Sequence, residues 1–72
     1  MSVYDEILAA RVRTAIANDM RLCDLPIDIR VSGGDVFVKG LVNSHEQAEV
    51  IPFILSGIAG VRHVDCTELE VK

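Results

Sequence analysis

This sequence predicts an α+β fold, with two helices packed on one face of a three-stranded sheet. Three observations predict it. The stretch IDIRVSGGDVFVKGLVN, Ile27 to Asn43, alternates apolar and polar residues, breaks at Ser32-Gly33-Gly34-Asp35 and alternates again. That is the pattern of two strands joined by a tight turn. Before it lies a run with apolar residues at helical spacing; after it come a second helical run and a third extended stretch. The order is helix, strand, strand, helix, strand, read as one domain over residues 1–72.

The first helix is expected from Ser2 to about Met20. Ser2 is placed to cap it, with Asp5 three residues on in a capping-box arrangement. Leu8, Val12, Ala15 and Ile16 form one apolar stripe, with Ile7 and Met20 on its flanks. The helix should fade over Asn18 to Arg21, because Asn and Asp compete for their own backbone. Leu22 to Pro26 is a connector, and Pro26 opens the extended run.

In the first strand Ile27, Ile29 and Val31 share a face, and Asp28 and Arg30 take the other. In the second, Val36, Val38, Gly40 and Val42 share a face opposite Phe37, Lys39 and Leu41. The glycine pair supplies positive φ at the turn at low steric cost.

Ser44, with Gln47 three residues later, starts the second helix. It is expected to run to about Ile58 and to end at Gly60 with a left-handed cap. Its stripe is Ala48, Ile51, Leu55 and Ile58. Pro52 falls inside this pattern, removes a backbone donor and should kink the helix or start a new segment. The last strand, Val64 to Val71, changes phase: Val64 and Cys66 agree with each other, whereas Thr67, Leu69 and Val71 agree among themselves. A bulge near Cys66 and Thr67 reconciles the two. The strands flanking the second helix should run in the same direction.

Seven basic residues against eleven acidic ones give a net charge of −4. This balance, with no basic run, argues against nucleic-acid binding, which depends on clustered phosphate-neutralising side chains. It also weakens attraction to anionic headgroups. No segment approaches the ~20 apolar residues of a membrane span. The start, MSVYDEILAARVR, lacks the basic-then-apolar order of a signal peptide. A cytoplasmic location with reduced thiols is therefore the expectation. Tyr4, Phe37 and Phe53 are the only aromatics, so the core should be aliphatic.

Candidate sites are few. Cys23, His45, His63 and Cys66 show neither CxxC nor HxxxH spacing, so no metal site is expected. Ser44 is better explained as a cap than as a nucleophile. Nothing orients a base beside either cysteine. Gly33-Gly34 joins two strands instead of opening a helix, which excludes a phosphate loop. No catalytic constellation and no cofactor site is read. Two apolar sets lie outside the core stripes. Phe37 and Leu41 face away from the aliphatic side of the hairpin, with Arg30 and Lys39 at their margin. Val50 and Phe53 lie opposite the stripe of a regular second helix, although a kink at Pro52 would turn Phe53 inward. These six residues are the candidate interaction surface, because a contiguous exposed apolar patch marks a partner site.

Several short matches recur in order: Val12, Ile16 and Asp19; Ile29 and Val31; GGDVFVKGLV from Gly33 to Val42; Ser44 and Ala48; GVRHV from Gly60 to Val64; and ELEV from Glu68 to Val71. In this order and spacing the chain resembles a BON domain, the module named for bacterial osmotically inducible and nodulation-related proteins. The resemblance implies a bacterial source, the same element order and a non-catalytic binding role, usually phospholipid or membrane-surface association. The exposed apolar residues carry the alternative reading, a protein-interaction or self-association module acting through the sheet face.

Overall fold

Side-chain caps start both helices where the sequence places them. In the computed structural model, which describes residues 2–72, the first helix, α1, spans Val3–Asn18, and the Ser2 hydroxyl accepts a hydrogen bond from the Asp5 N–H at 3.1 Å. It ends at Asp19, whose carboxylate holds Arg21 through its backbone N–H (2.8 Å) and guanidinium (3.0 Å). The second helix, α2, spans His45–Ser56. There the Ser44 hydroxyl accepts from the Gln47 N–H, and the Gln47 carboxamide oxygen accepts in return from the Asn43 N–H at 2.7 Å. Donors left over at a helix start are thus satisfied reciprocally.

The expected end of α2 needs correction. The helix stops at Ser56, not at Ile58, and its cap is Gly57, with an ordinary φ of −83°. Three-residue-spaced bonds from the N–H groups of Gly57, Ile58 and Val61 then tighten the chain. Gly60 does have a left-handed φ of +100°, but in the loop beyond the helix. The helix runs through Pro52 as one continuous element, so no new segment begins there.

The hairpin strands are β1 (Ile27–Ser32) and β2 (Asp35–Val42), and the last strand is β3 (His63–Val71). The sheet order is β1-β2-β3, with β1 antiparallel and β3 parallel to β2. The turn glycines have φ of +59° and +89°, the signs that a two-residue hairpin turn of the right twist requires. The Asp5 carboxylate accepts from the Gly33 N–H at 3.1 Å and ties this turn to α1. At the other end of the hairpin the backbones nearly touch. Gly40 has φ +145°, and a Cβ there would lie 2.2 Å from the Pro26 carbonyl oxygen. The β2–β3 register skips one β3 residue between the pairs Phe37↔Asp65 and Lys39↔Glu68. That is the bulge at Cys66 and Thr67 that the change of phase requires.

Both helices lie on one face of the sheet, α1 chiefly over β1 and α2 chiefly over β3. The Cα envelope is 18 Å deep at its thinnest, which fits one layer of helix on one layer of sheet. Leu8, Ala9 and Val12 of α1 meet Val31, Val36, Val38 and Val42 of the sheet and Ile51 and Leu55 of α2. The core is wholly aliphatic, and each such side chain contributes about 1.5–3 kcal/mol on full burial. Leu22 is also fully buried although it sits in the connector. Its N–H and that of Cys23 both bond to the Asp19 carbonyl, and this turn swings Leu22 back under α1.

Candidate functional site

The uncovered face of the sheet is built by register. Across the hairpin Arg30 pairs with Phe37, and Asp28 with Lys39. Across the parallel ladder Phe37 pairs with Asp65, Lys39 with Glu68 and Leu41 with Glu70. Directly paired residues share a face, because side chains alternate along a strand. The face therefore carries two charged rows. One reads Arg30, Phe37, Asp65; the next reads Asp28, Lys39, Glu68. Phe37 is 41% exposed at its centre, while its neighbour Val38, turned the other way, is 1% exposed. Leu41 is half-buried, two residues along. The two rows around Phe37 line a shallow, open depression, and Leu41 lies outside it.

The charges on this face are free to meet a partner. Among the described residues, the one ion pair within 4 Å is Arg21–Asp19, at the end of α1. Asp65 is held from within its own strand instead. Its carboxylate accepts from the Thr67 hydroxyl and, at 2.9 Å, from the Thr67 N–H. These bonds hold its pKa below the ordinary aspartate value, with a smaller contribution from His63. This contact lies at the bulge, between the pairs Phe37↔Asp65 and Lys39↔Glu68.

The six residues singled out from the sequence do not form one surface. Arg30, Phe37, Lys39 and Leu41 lie together on the outer sheet face. Val50 and Phe53 belong to α2, on the far side of the sheet. Val50 is half-buried and packs against the core, so it belongs to the monomer's own packing. Phe53 is 81% exposed, so Pro52 does not turn it inward. Asp65, Glu68 and Glu70 complete the outer face and were missing from the sequence reading. The bulge was the available signal: once it is placed, Asp65, Glu68 and Glu70 fall on one side.

The thiols and imidazoles stay apart. His45 is exposed in the first turn of α2, and His63 is exposed at the start of β3. Cys23 is exposed and Cys66 half-buried, and both are free thiols. Burial pushes the Cys66 thiol pKa up, and the Asp65 carboxylate adds to the effect. Among the described residues no three His, Cys, Asp or Glu side chains gather as a metal site would require. No described helix is long and apolar enough to cross a membrane.

The fold and its exposed sheet face are those of a small binding module of α+β class. Comparison with known proteins places it further: the BON domain family model matches residues 4–72, and the chain belongs to that family. A curated relative, an uncharacterised protein of Deinococcus radiodurans, is 33% identical over 64 residues, which is 89% of this chain and 25% of that protein. The chain thus spans about a quarter of that relative's length. Among solved structures, the C-terminal domain of CdsD, the structural protein of the type III secretion system of Chlamydia trachomatis, is similar with a TM-score of 0.75. The match covers 94% of this chain and 33% of that one at 13% identity, and the likeness is one of fold.

Proposed function

We propose that this chain is a non-catalytic interaction module that engages a partner protein through the outer face of its sheet. The observation that carries the reading is the pair of rows around Phe37. An exposed aromatic sits among charges of both signs that make no ion pair of their own. An apolar centre inside a polar rim is the usual anatomy of a protein interface. The alternation of sign fits a partner with its own patterned charges. A uniformly anionic bilayer fits less well, because Asp28, Asp65, Glu68 and Glu70 outnumber Arg30 and Lys39 on this face.

The test is a photo-crosslinking residue placed at position 37 and, as a control, at position 46 on α2. The expected result is a discrete protein adduct from position 37 alone, weakened by Lys39→Glu. In parallel, vesicles of phosphatidylglycerol and phosphatidylethanolamine should fail to co-sediment the protein. Vesicle binding abolished by Phe37→Ala would move the assignment to lipid. Absence of any adduct at position 37 would remove the sheet face as the site.

A further inference from the structure

α1 has two apolar sides, and the sheet and α2 use only one. Its inner side carries Leu8, Val12 and Ile16. Val3, Ile7, Ala10, Thr14 and Ala17 follow one another at intervals of four, three, four and three residues. At about 100° per residue these five fall within one arc of about 80°, centred opposite Val12. All five are exposed, Val3 by 70% and Ile7 by 47%. The arc holds no charged residue. Intervals of three and four are those of a seam between paired helices.

The borders of this arc say what covers it. Glu6 and Arg13 flank the same side, seven residues apart; both are exposed, and neither forms an ion pair among the described residues. On the other border Arg11 is engaged within the monomer, where its guanidinium donates to the Ala59 carbonyl at 3.3 Å. We propose that α1 pairs antiparallel with α1 of a second copy of this chain, across a two-fold axis near Ala10. In that register Glu6 meets the partner's Arg13, and the symmetry makes the pair twice. Val3 falls opposite the partner's Ala17, and Ile7 opposite the partner's Thr14, so larger residues meet smaller ones. Ala10 meets its own copy at the axis, where a small side chain permits close approach. The surface is self-complementary, as a two-fold interface must be. A parallel pair would separate Glu6 from the partner's Arg13 by about 10 Å along the axis, from a rise of about 1.5 Å per residue.

This interface is distinct from the outer sheet face and does not rest on the reading given above. It leaves the outer sheet face of each copy free. A single helix seam buries less than the ~800 Å² per partner of a standard interface, so the dimer is weak, with Kd on the order of 100 µM.

Sedimentation equilibrium from about 10 µM to about 1 mM tests it, a range that brackets a dissociation constant of that order. The mass should rise from the 7.9 kDa monomer toward twice that value. Glu6→Arg and Arg13→Glu, each alone, should weaken association at least about fivefold, a shift of roughly 1 kcal/mol. An equimolar mixture of the two variants should restore it, since a flank with two basic residues then faces one with two acidic residues. Phe37→Ala should dimerise like the parent chain. Urea midpoints at low concentration confirm that each exposed-site variant still folds. A chain that stays monomeric at the top of this range overturns the proposal. So does an Arg13→Glu variant that dimerises normally, or a mixture that fails to restore association. Loss of the dimer in Phe37→Ala alone would place self-association on the sheet instead.

Discussion

Replacing Gly40 with alanine strikes the hairpin at its closest approach. The added Cβ would lie 2.2 Å from the Pro26 carbonyl oxygen and 2.9 Å from the Ile27 Cα. Both are backbone atoms, so neither swings aside as the end of a long side chain would. The position also has φ +145°, which an L side chain resists. Strain from the positive φ costs about 1–2 kcal/mol. Forcing a methyl into packed backbone adds about 1–3 kcal/mol. Loss of glycine's freedom in the unfolded chain offsets about 0.4–1 kcal/mol. The net cost is about 3 kcal/mol, which for a domain of this size lowers Tm by roughly 12–24 °C. The pull on Pro26 also threatens the bond its carbonyl accepts from the Leu41 N–H at 3.3 Å. Gly33→Ala is the internal control, because that glycine has φ +59° but nothing within 4 Å of its added Cβ. It carries the φ penalty alone, about 1 kcal/mol. Urea unfolding followed by circular dichroism reads the difference as a shift in midpoint at constant slope. A Gly40→Ala variant no less stable than Gly33→Ala would refute the reasoning.

Three further outcomes are expected. Val38→Ala should cost about 2 kcal/mol by opening a cavity in the core, whereas Phe37→Ala costs clearly less because its ring is partly in solvent; equal costs in urea unfolding would place Phe37 within the core. Asp65 has a folded pKa below its ordinary value of 3.8, so its carboxylate favours the fold above that pH, and the contribution is lost as pH falls through the folded pKa. Asp65→Asn should therefore flatten the loss of stability below about pH 4, measured by thermal unfolding across a pH series, and an unchanged acid limb would contradict the Thr67 contact. Iodoacetamide near neutral pH should label exposed Cys23 before Cys66, whose thiolate is disfavoured by burial, as peptide mass spectrometry will show; the reverse order would count against the packing of β3.

Local chemistry was legible in the sequence, and long-range pairing was not. Ser2 and Ser44 act through backbone N–H groups three residues away, so each cap is contained in a four-residue window. The bulge could be read because Val64 and Leu69 need the same face while five residues apart. The end of α2 misled, since Gly60 has the positive φ of a cap but sits after the helix has already closed at Gly57. Leu22 belongs to no periodic run, and only the turn at Asp19 brings it inside. Half of the outer face was legible, because Arg30, Phe37, Lys39 and Leu41 lie on a hairpin whose register follows from its turn. Asp65, Glu68 and Glu70 join them only through the parallel ladder. No short-range signal fixes which strand β3 neighbours.

The order β1-β2-β3 also sets a sequence of events during folding. The hairpin closes over two turn residues, and such a local contact forms within about 1–10 µs. The parallel partner must come back across the whole of α2 and its following loop, since Asp35 of β2 pairs with His63 of β3. Loop closure over such a span is costlier and slower. Until β3 arrives, one edge of β2 is open, and Val36, Val38 and Val42 lie along that strand. On a ribosome this interval lasts until residue 71 has cleared the exit tunnel. An edge of this composition is a template for wrong pairing. In the finished sheet β3 covers it, and its Asp65, Glu68 and Glu70 place like charge along the new edge where a further strand would add.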